Sequence, residues 1–132
     1  MKNASGKLVS FYGRSLTKGH YYQTGRAGLF PSYPRKKARR IILTESVIDA
    51  ASLLEVKALK SYDILALYGT NGMTGEHKKA LEGCAELEEV ILMLDGDEAG
   101  QKASKKYSKE LTKLLPSVKI RSIELPLSLI HI

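Results

Sequence analysis

Val90-Ile91-Leu92-Met93-Leu94 sets five apolar residues in a row and stops at Asp95-Gly96-Asp97, with Gly100 close behind. A short apolar run bounded by turn residues is the pattern of a strand buried on both faces, and such strands belong to parallel sheets covered by helices. In an open α/β sheet, ligands sit beyond the carboxyl ends of the strands. An acidic i, i+2 pair at that place suits a hard divalent cation held by oxygen. Ile41-Ile42-Leu43-Thr44 has the same form and leads straight into Glu45, with Asp49 four residues on. Capping of a following helix accounts for Asp97 but not for Glu45 or Asp95. Carboxylates crowded at two strand ends repel one another without a cation, so a metal site is expected there.

The rest of the chain supports that frame. A helix is expected over 46–57, where Val47, Ile48, Ala51 and Leu54 form an apolar stripe. A strand over 63–67, a Gly-rich turn Tyr68-Gly69-Thr70-Asn71-Gly72 and a short helix over 74–83 follow. The carboxylate-bearing strand over 89–94 leads into a helix over 98–115 that Pro116 ends, and 118–123 alternates as a last strand. Strands alternating with helices imply an α/β fold with a mostly parallel four-stranded sheet. Residues 7–33 look β-rich and irregular, with a strand over 7–12 broken at Gly13 and a turn at Lys18-Gly19.

Charge divides the chain. Residues 1–40 carry ten Lys/Arg and no Asp or Glu, whereas 41–132 carry eleven Lys/Arg against fourteen Asp/Glu. A basic stretch ahead of an acidic-edged sheet suggests a polyanionic partner, with metal ions screening the carboxylates from it. Arg35, Lys36, Lys37, Arg39 and Arg40 are the densest part of that stretch. Gly69 and Gly72, at the same sheet edge, could turn backbone N–H groups toward a phosphate or serve only as turn residues. The lysines of the last helix, Lys102 among them, read first as a solvated face. His20, His77 and Cys84 are too scattered for a zinc site, and Ser46 has no partner histidine. One cysteine excludes an internal disulfide and fits a reducing, cytoplasmic compartment, and no apolar run approaches a membrane span.

Taken together, Glu45 with Asp49, the Gly69-Thr70-Asn71-Gly72 turn, and Asp95-Gly96-Asp97-Glu98-Ala99-Gly100 resemble the TOPRIM domain of primases, topoisomerases, OLD-family nucleases and RecR proteins. Glu45-Ser46-Val47-Ile48-Asp49-Ala50 and the form at 95–103 are most similar to bacterial DnaG-type primases, and Gly6–Arg14 is similar to the β segment preceding their TOPRIM domain. The resemblance implies a Rossmann-like TOPRIM fold over 41–126, preceded over 1–40 by the basic, β-rich end of a primase N-terminal subdomain. Residues 127–132 are expected to be a non-native tail, and the chain a fragment at both ends.

What the resemblance implies for function is specific. Glu45, Asp95 and Asp97 match the catalytic positions, and with Asp49 the positions that hold Mg²⁺ (or Mn²⁺). Arg14 matches a basic residue near template or nucleotide phosphates, and the 35–40 run and Lys102 are placed with nucleic-acid or nucleotide binding. Ser46 stands where the family usually has glycine. The implied activity is nucleotidyl transfer in DNA replication: short RNA primers made from NTPs on a single-stranded DNA template. Zinc would belong to a module absent from this chain, and a replicative helicase would bind through regions also absent, so the piece alone is expected to be weak or inactive. An OLD-type nuclease and a RecR-like non-catalytic adaptor are the alternatives. No membrane role is implied.

Overall fold

The computed structural model describes residues 1–15, 19–23 and 27–125, with side chains for 1–13 and 27–123. Two short strands, β1 (Phe11–Ser15) and β2 (Gly19–Gln23), pair antiparallel. β1 runs through Gly13, which faces Tyr21 in the ladder. The break expected at Gly13 is therefore absent: pairing with β2 holds extended backbone that the glycine alone would not favour.

Four parallel strands then form the main sheet: β3 (Arg40–Thr44), β4 (Asp63–Ala66), β5 (Glu89–Asp95) and β6 (Lys119–Leu125), in the order β4-β3-β5-β6. The connections are helices α1 (Val47–Leu54), α2 (Gly75–Glu82) and α3 (Glu98–Leu114). α1 is shorter than the 46–57 expected, because Ser46 is its N-cap and a separate 3₁₀ turn occupies Lys57–Leu59. Its Ser46 hydroxyl accepts from the Asp49 N–H at 3.2 Å, the usual way to satisfy a first-turn donor. α3 stops at Leu114, one residue before the pre-proline Leu115, where the α conformation is disfavoured.

Right-handed crossovers decide the layers. The chain moves one way along the sheet from β3 to β4 and the other way from β4 to β5 to β6, so α1 must lie on the face opposite to α2 and α3. The core agrees. Ile41, Leu43, Leu65, Val90, Leu92 and Leu94 pack with Leu81 of α2 and with Ala103, Tyr107 and Leu111 of α3. The alternate residues Ile42, Ile64, Ala66 and Ile91 pack with Ala50 of α1. Leu29 and Ala38, from the stretch before the sheet, lie in the first of these cores.

Phe30 bridges Ala66 antiparallel, and the Arg35 N–H donates to Asp63 Oδ2 at 2.7 Å. Residues 30–35 thus run back along the open edge of β4, from its carboxyl end to its amino end. The tail expected over 127–132 lies outside the described residues.

Candidate metal-binding acidic edge

Because β3 hands over to one side of the sheet and β5 to the other, their carboxyl ends flank the topological switch point, where α/β sheets open a crevice. Glu45 follows β3 directly and Asp95 closes β5. Glu45 Oε1 and Asp95 Oδ1 are both buried with no hydrogen-bond partner among the described residues. Buried acceptors are nearly always satisfied, so two orphaned carboxylate oxygens at one crevice fit a group that supplies positive charge. Burial first, then Asp95, with smaller contributions from Asp97 and Asp49, pushes the Glu45 carboxyl up to about 8.

The flanking carboxylates are held from behind. Asp49 is buried and accepts from the Ser46 hydroxyl at 2.9 Å. Burial raises its affinity for a proton, the Ser46 hydrogen bond opposes that, and Asp95 adds to it. Asp97 caps α3, its Oδ1 accepting from the Gly100 N–H at 2.7 Å. Gly100 has no alternative here: a Cβ would run into the Asp95 carbonyl oxygen. Among the described residues, no three acidic, histidine or cysteine side chains stand close enough together to hold a metal ion as they are. The sequence led us to expect a cluster of three or four carboxylates. Glu45 and Asp95 present the unpaired buried oxygens, whereas one Asp49 oxygen accepts from the Ser46 hydroxyl and one Asp97 oxygen from the Gly100 N–H.

The glycine turn does something other than present donors. Gly69, at φ +98°, gives its N–H to the Glu45 carbonyl at 2.9 Å, and Gly72 gives its own to the Gly69 carbonyl at 3.1 Å. Both groups suggested as phosphate donors are thus committed within the protein. The turn instead fixes the backbone of Glu45, and a Cβ at Gly72 would collide with the Tyr68 backbone. Tyr107 of α3 donates to the Thr70 carbonyl at 2.7 Å and ties the turn down.

The basic residues are divided. Arg35 through Arg40 lie at the amino end of the sheet, and β3, five residues long, separates them by roughly 15 Å from the acidic edge. There Arg35 pairs with Asp63 at 2.6 Å, and the Arg40 guanidinium sits 4.5 Å from the Tyr62 ring centroid, while Lys36, Lys37 and Arg39 are exposed. Lys102 pairs with Glu98 at 3.2 Å on the exposed first turns of α3, next to Asp97. Arg14 lies in β1 opposite His20, and the role expected of its side chain falls outside the described residues.

Sequence reasoning missed the residues that brace this edge. His77 is fully buried, with Nε2 at 2.9 Å from the Ala66 carbonyl and Nδ1 accepting from the Thr74 N–H at 3.1 Å. Its signal was Thr74 three residues ahead, a capping box with histidine in the place of Glu or Gln. Glu76 accepts from the Gly28 N–H at 3.0 Å and from the Tyr33 hydroxyl, and Tyr68 donates to the Gly28 carbonyl at 2.6 Å. These contacts bind the stretch before the sheet to the carboxyl end of β4, and no local pattern announces them.

A four-stranded parallel sheet with paired acidic residues at its switch point is the arrangement of a TOPRIM-type fold. The family profile described as Toprim-like matches residues 42–128, and the chain belongs to this family. It is 30% identical over 129 residues to the DNA helicase/primase of Enterobacteria phage T3, covering 95% of this chain and 22% of that protein. The primase fragment of the bacteriophage T7 primase-helicase protein superposes with a TM-score of 0.71 at 29% identity, covering 95% of this chain and 51% of that one. The Aquifex aeolicus primase, in its zinc-binding and RNA polymerase domains, shares the fold with a TM-score of 0.66 at 22% identity, over 96% of this chain and 33% of its own. The chain is therefore a primase-like TOPRIM part, spanning about half of the T7 primase fragment and a smaller share of the other two. Among the described residues, no helix is long and apolar enough to cross a membrane.

Proposed function

We propose that this chain is the catalytic TOPRIM part of a primase that builds short RNA primers from NTPs on single-stranded DNA, in the cytoplasm and with Mg²⁺ or Mn²⁺. The observation that carries the reading is the pair of orphaned oxygens, Glu45 Oε1 and Asp95 Oδ1, at the switch point of a chain related to phage primases over 95% of its length. Glu45, Asp95 and Asp97 would hold the cation, with Asp49 behind them. When bound, it would neutralise charge at the reacting phosphate. Burial and Asp95 raise the affinity of the Glu45 carboxyl for a proton in the metal-free protein, and a bound cation would oppose that and keep the carboxylate charged. Lys102 and Arg14 are the cations proposed to meet nucleotide or template phosphates beside this edge, and a helicase partner would bind elsewhere in the longer protein.

The test is primer synthesis by the complete reading frame on single-stranded DNA with NTPs and Mg²⁺. Short RNA products that fall by orders of magnitude in Asp95→Asn are expected, with little or no synthesis by the 132-residue piece. Cleavage of the template would indicate a nuclease. Binding without either reaction would indicate an adaptor.

A further inference from the structure

At the amino end of the sheet, opposite the acidic edge, the 35–40 basic run meets two further lysines. Lys57 belongs to the 3₁₀ turn and Lys60 follows it, both exposed, just before β4 begins. Of the nearby anions, Asp63 is taken by Arg35 at 2.6 Å and Glu89 lies 3.5 Å from Arg121, while Glu55, Glu86 and Glu88 are exposed and fewer than the seven cations Arg35, Lys36, Lys37, Arg39, Arg40, Lys57 and Lys60. Within this positive field Arg40 lies 4.5 Å over the Tyr62 ring and reaches Ser61 Oγ at 3.5 Å. Beside Tyr62 is a cleft of about 210 Å³ walled by Pro31, Tyr33, Pro34, Leu54 and Lys60. A tyrosine ring and a guanidinium beside apolar walls, with Lys60 and the Arg35–Asp63 pair also lining the cleft and further basic residues nearby, combine the two features that hold single strands: charge for the backbone and a stacking platform for a base.

We infer that this amino-end surface is a second nucleic-acid site, which grips single-stranded DNA through backbone charge and one base stacked at Tyr62–Arg40, away from the reacting carboxylates. For its partner it rests on the primase reading. A strand held here is one that has passed, or has yet to reach, the acidic edge roughly 15 Å away. The site thus retains the template and takes no part in the chemistry.

The experiment measures binding of fluorescent 20-nucleotide oligo(dT) by anisotropy across a salt series. It compares wild type, the triple variant Arg39→Gln/Arg40→Gln/Lys60→Gln, and Tyr62→Leu, each checked by circular dichroism and thermal melt. The triple variant should bind on the order of 10-fold more weakly, and the slope of log K against log salt should be shallower by about 2, near 0.7 per lost cation. Tyr62→Leu should lose about 10-fold in affinity at unchanged slope, because stacking carries no counterion release. An unchanged slope in the triple variant overturns the site. A full charge effect with no effect of Tyr62→Leu also overturns it, since that surface would hold any polyanion, an acidic protein included. The Mg²⁺-dependent melt of the same wild-type sample separates the two ideas: it reports the acidic edge alone, so it survives if only the amino-end site is wrong.

Discussion

Glu45→Gln should stabilise the metal-free protein, an unusual outcome for a residue proposed to be catalytic. The Glu45 carboxyl, pushed up to about 8 by burial and then by Asp95, binds a proton more tightly folded than unfolded. Its stabilising contribution is complete below the unfolded value of about 4.5 and is lost as pH rises from there through about 8. Above that, two carboxylates face each other with orphaned oxygens. At about 4 Å and an effective dielectric of about 20 such a pair repels by about 4 kcal/mol. Glu45 is only partly buried, so solvent and salt reduce this to about 1–2 kcal/mol. Glutamine removes the charge, and its amide can donate to the orphaned Asp95 oxygen. For a chain of this size a gain of that order raises the melting temperature by about 5 °C. The assay is a set of thermal melts in EDTA from pH 4 to pH 9: the difference between the two proteins should be smallest near pH 4 and grow as pH rises through about 8, with the variant increasingly favoured. A variant that melts lower at pH 9, or a gap independent of pH, would refute the reasoning.

Other parts of the molecule give independent outcomes. Gly100→Ala should lower stability by about 2 kcal/mol or more, because the new methyl meets the Asp95 carbonyl backbone; a chemical melt checks it, and a neutral result would show that this end of α3 can shift. His77, whose affinity for a proton is lowered by burial, should make the protein lose stability as pH falls below about 6.5. His77→Gln should flatten that acid limb in urea titrations, and an unaltered limb would assign it to other groups. Tyr107→Phe removes the hydrogen bond to the Thr70 carbonyl and should cost about 1 kcal/mol, together with faster amide exchange across 69–72.

The sheet was legible in the chain because its strands are apolar runs ended by chemistry-bearing residues, a signal that needs no tertiary information. Val90–Leu94 followed by Asp95, and Ile41–Thr44 followed by Glu45, located both the strands and the crevice. The state of the site was less legible. Whether a Gly69 N–H faces a ligand or the Glu45 carbonyl is decided by the turn's fold, not by its composition. The same holds for Asp49, which accepts from the Ser46 hydroxyl, and for Asp97, which caps α3: each has one oxygen already in a hydrogen bond. The basic run was visible as charge, and its place at the amino end follows from its leading directly into β3; what had no local signature is the pairing of Arg35 with Asp63, which comes from residues 30–35 running along β4. His77, Glu76 and Tyr62 were passed over because each acts through a partner distant in sequence or through a neighbour's ring.

The central claim is that Glu45 and Asp95 meet at the switch point to hold a divalent cation. Calorimetric titration of the metal-free protein with Mn²⁺ or Mg²⁺ at pH 8, paired with thermal melts over the same concentrations, tests it most directly. Wild type should bind and gain about 2.7 kcal/mol of stability at 100 times the dissociation constant, while Asp95→Asn, folded by circular dichroism, should lose most of both signals. Equal heats and equal melting shifts in the two proteins would contradict the assignment.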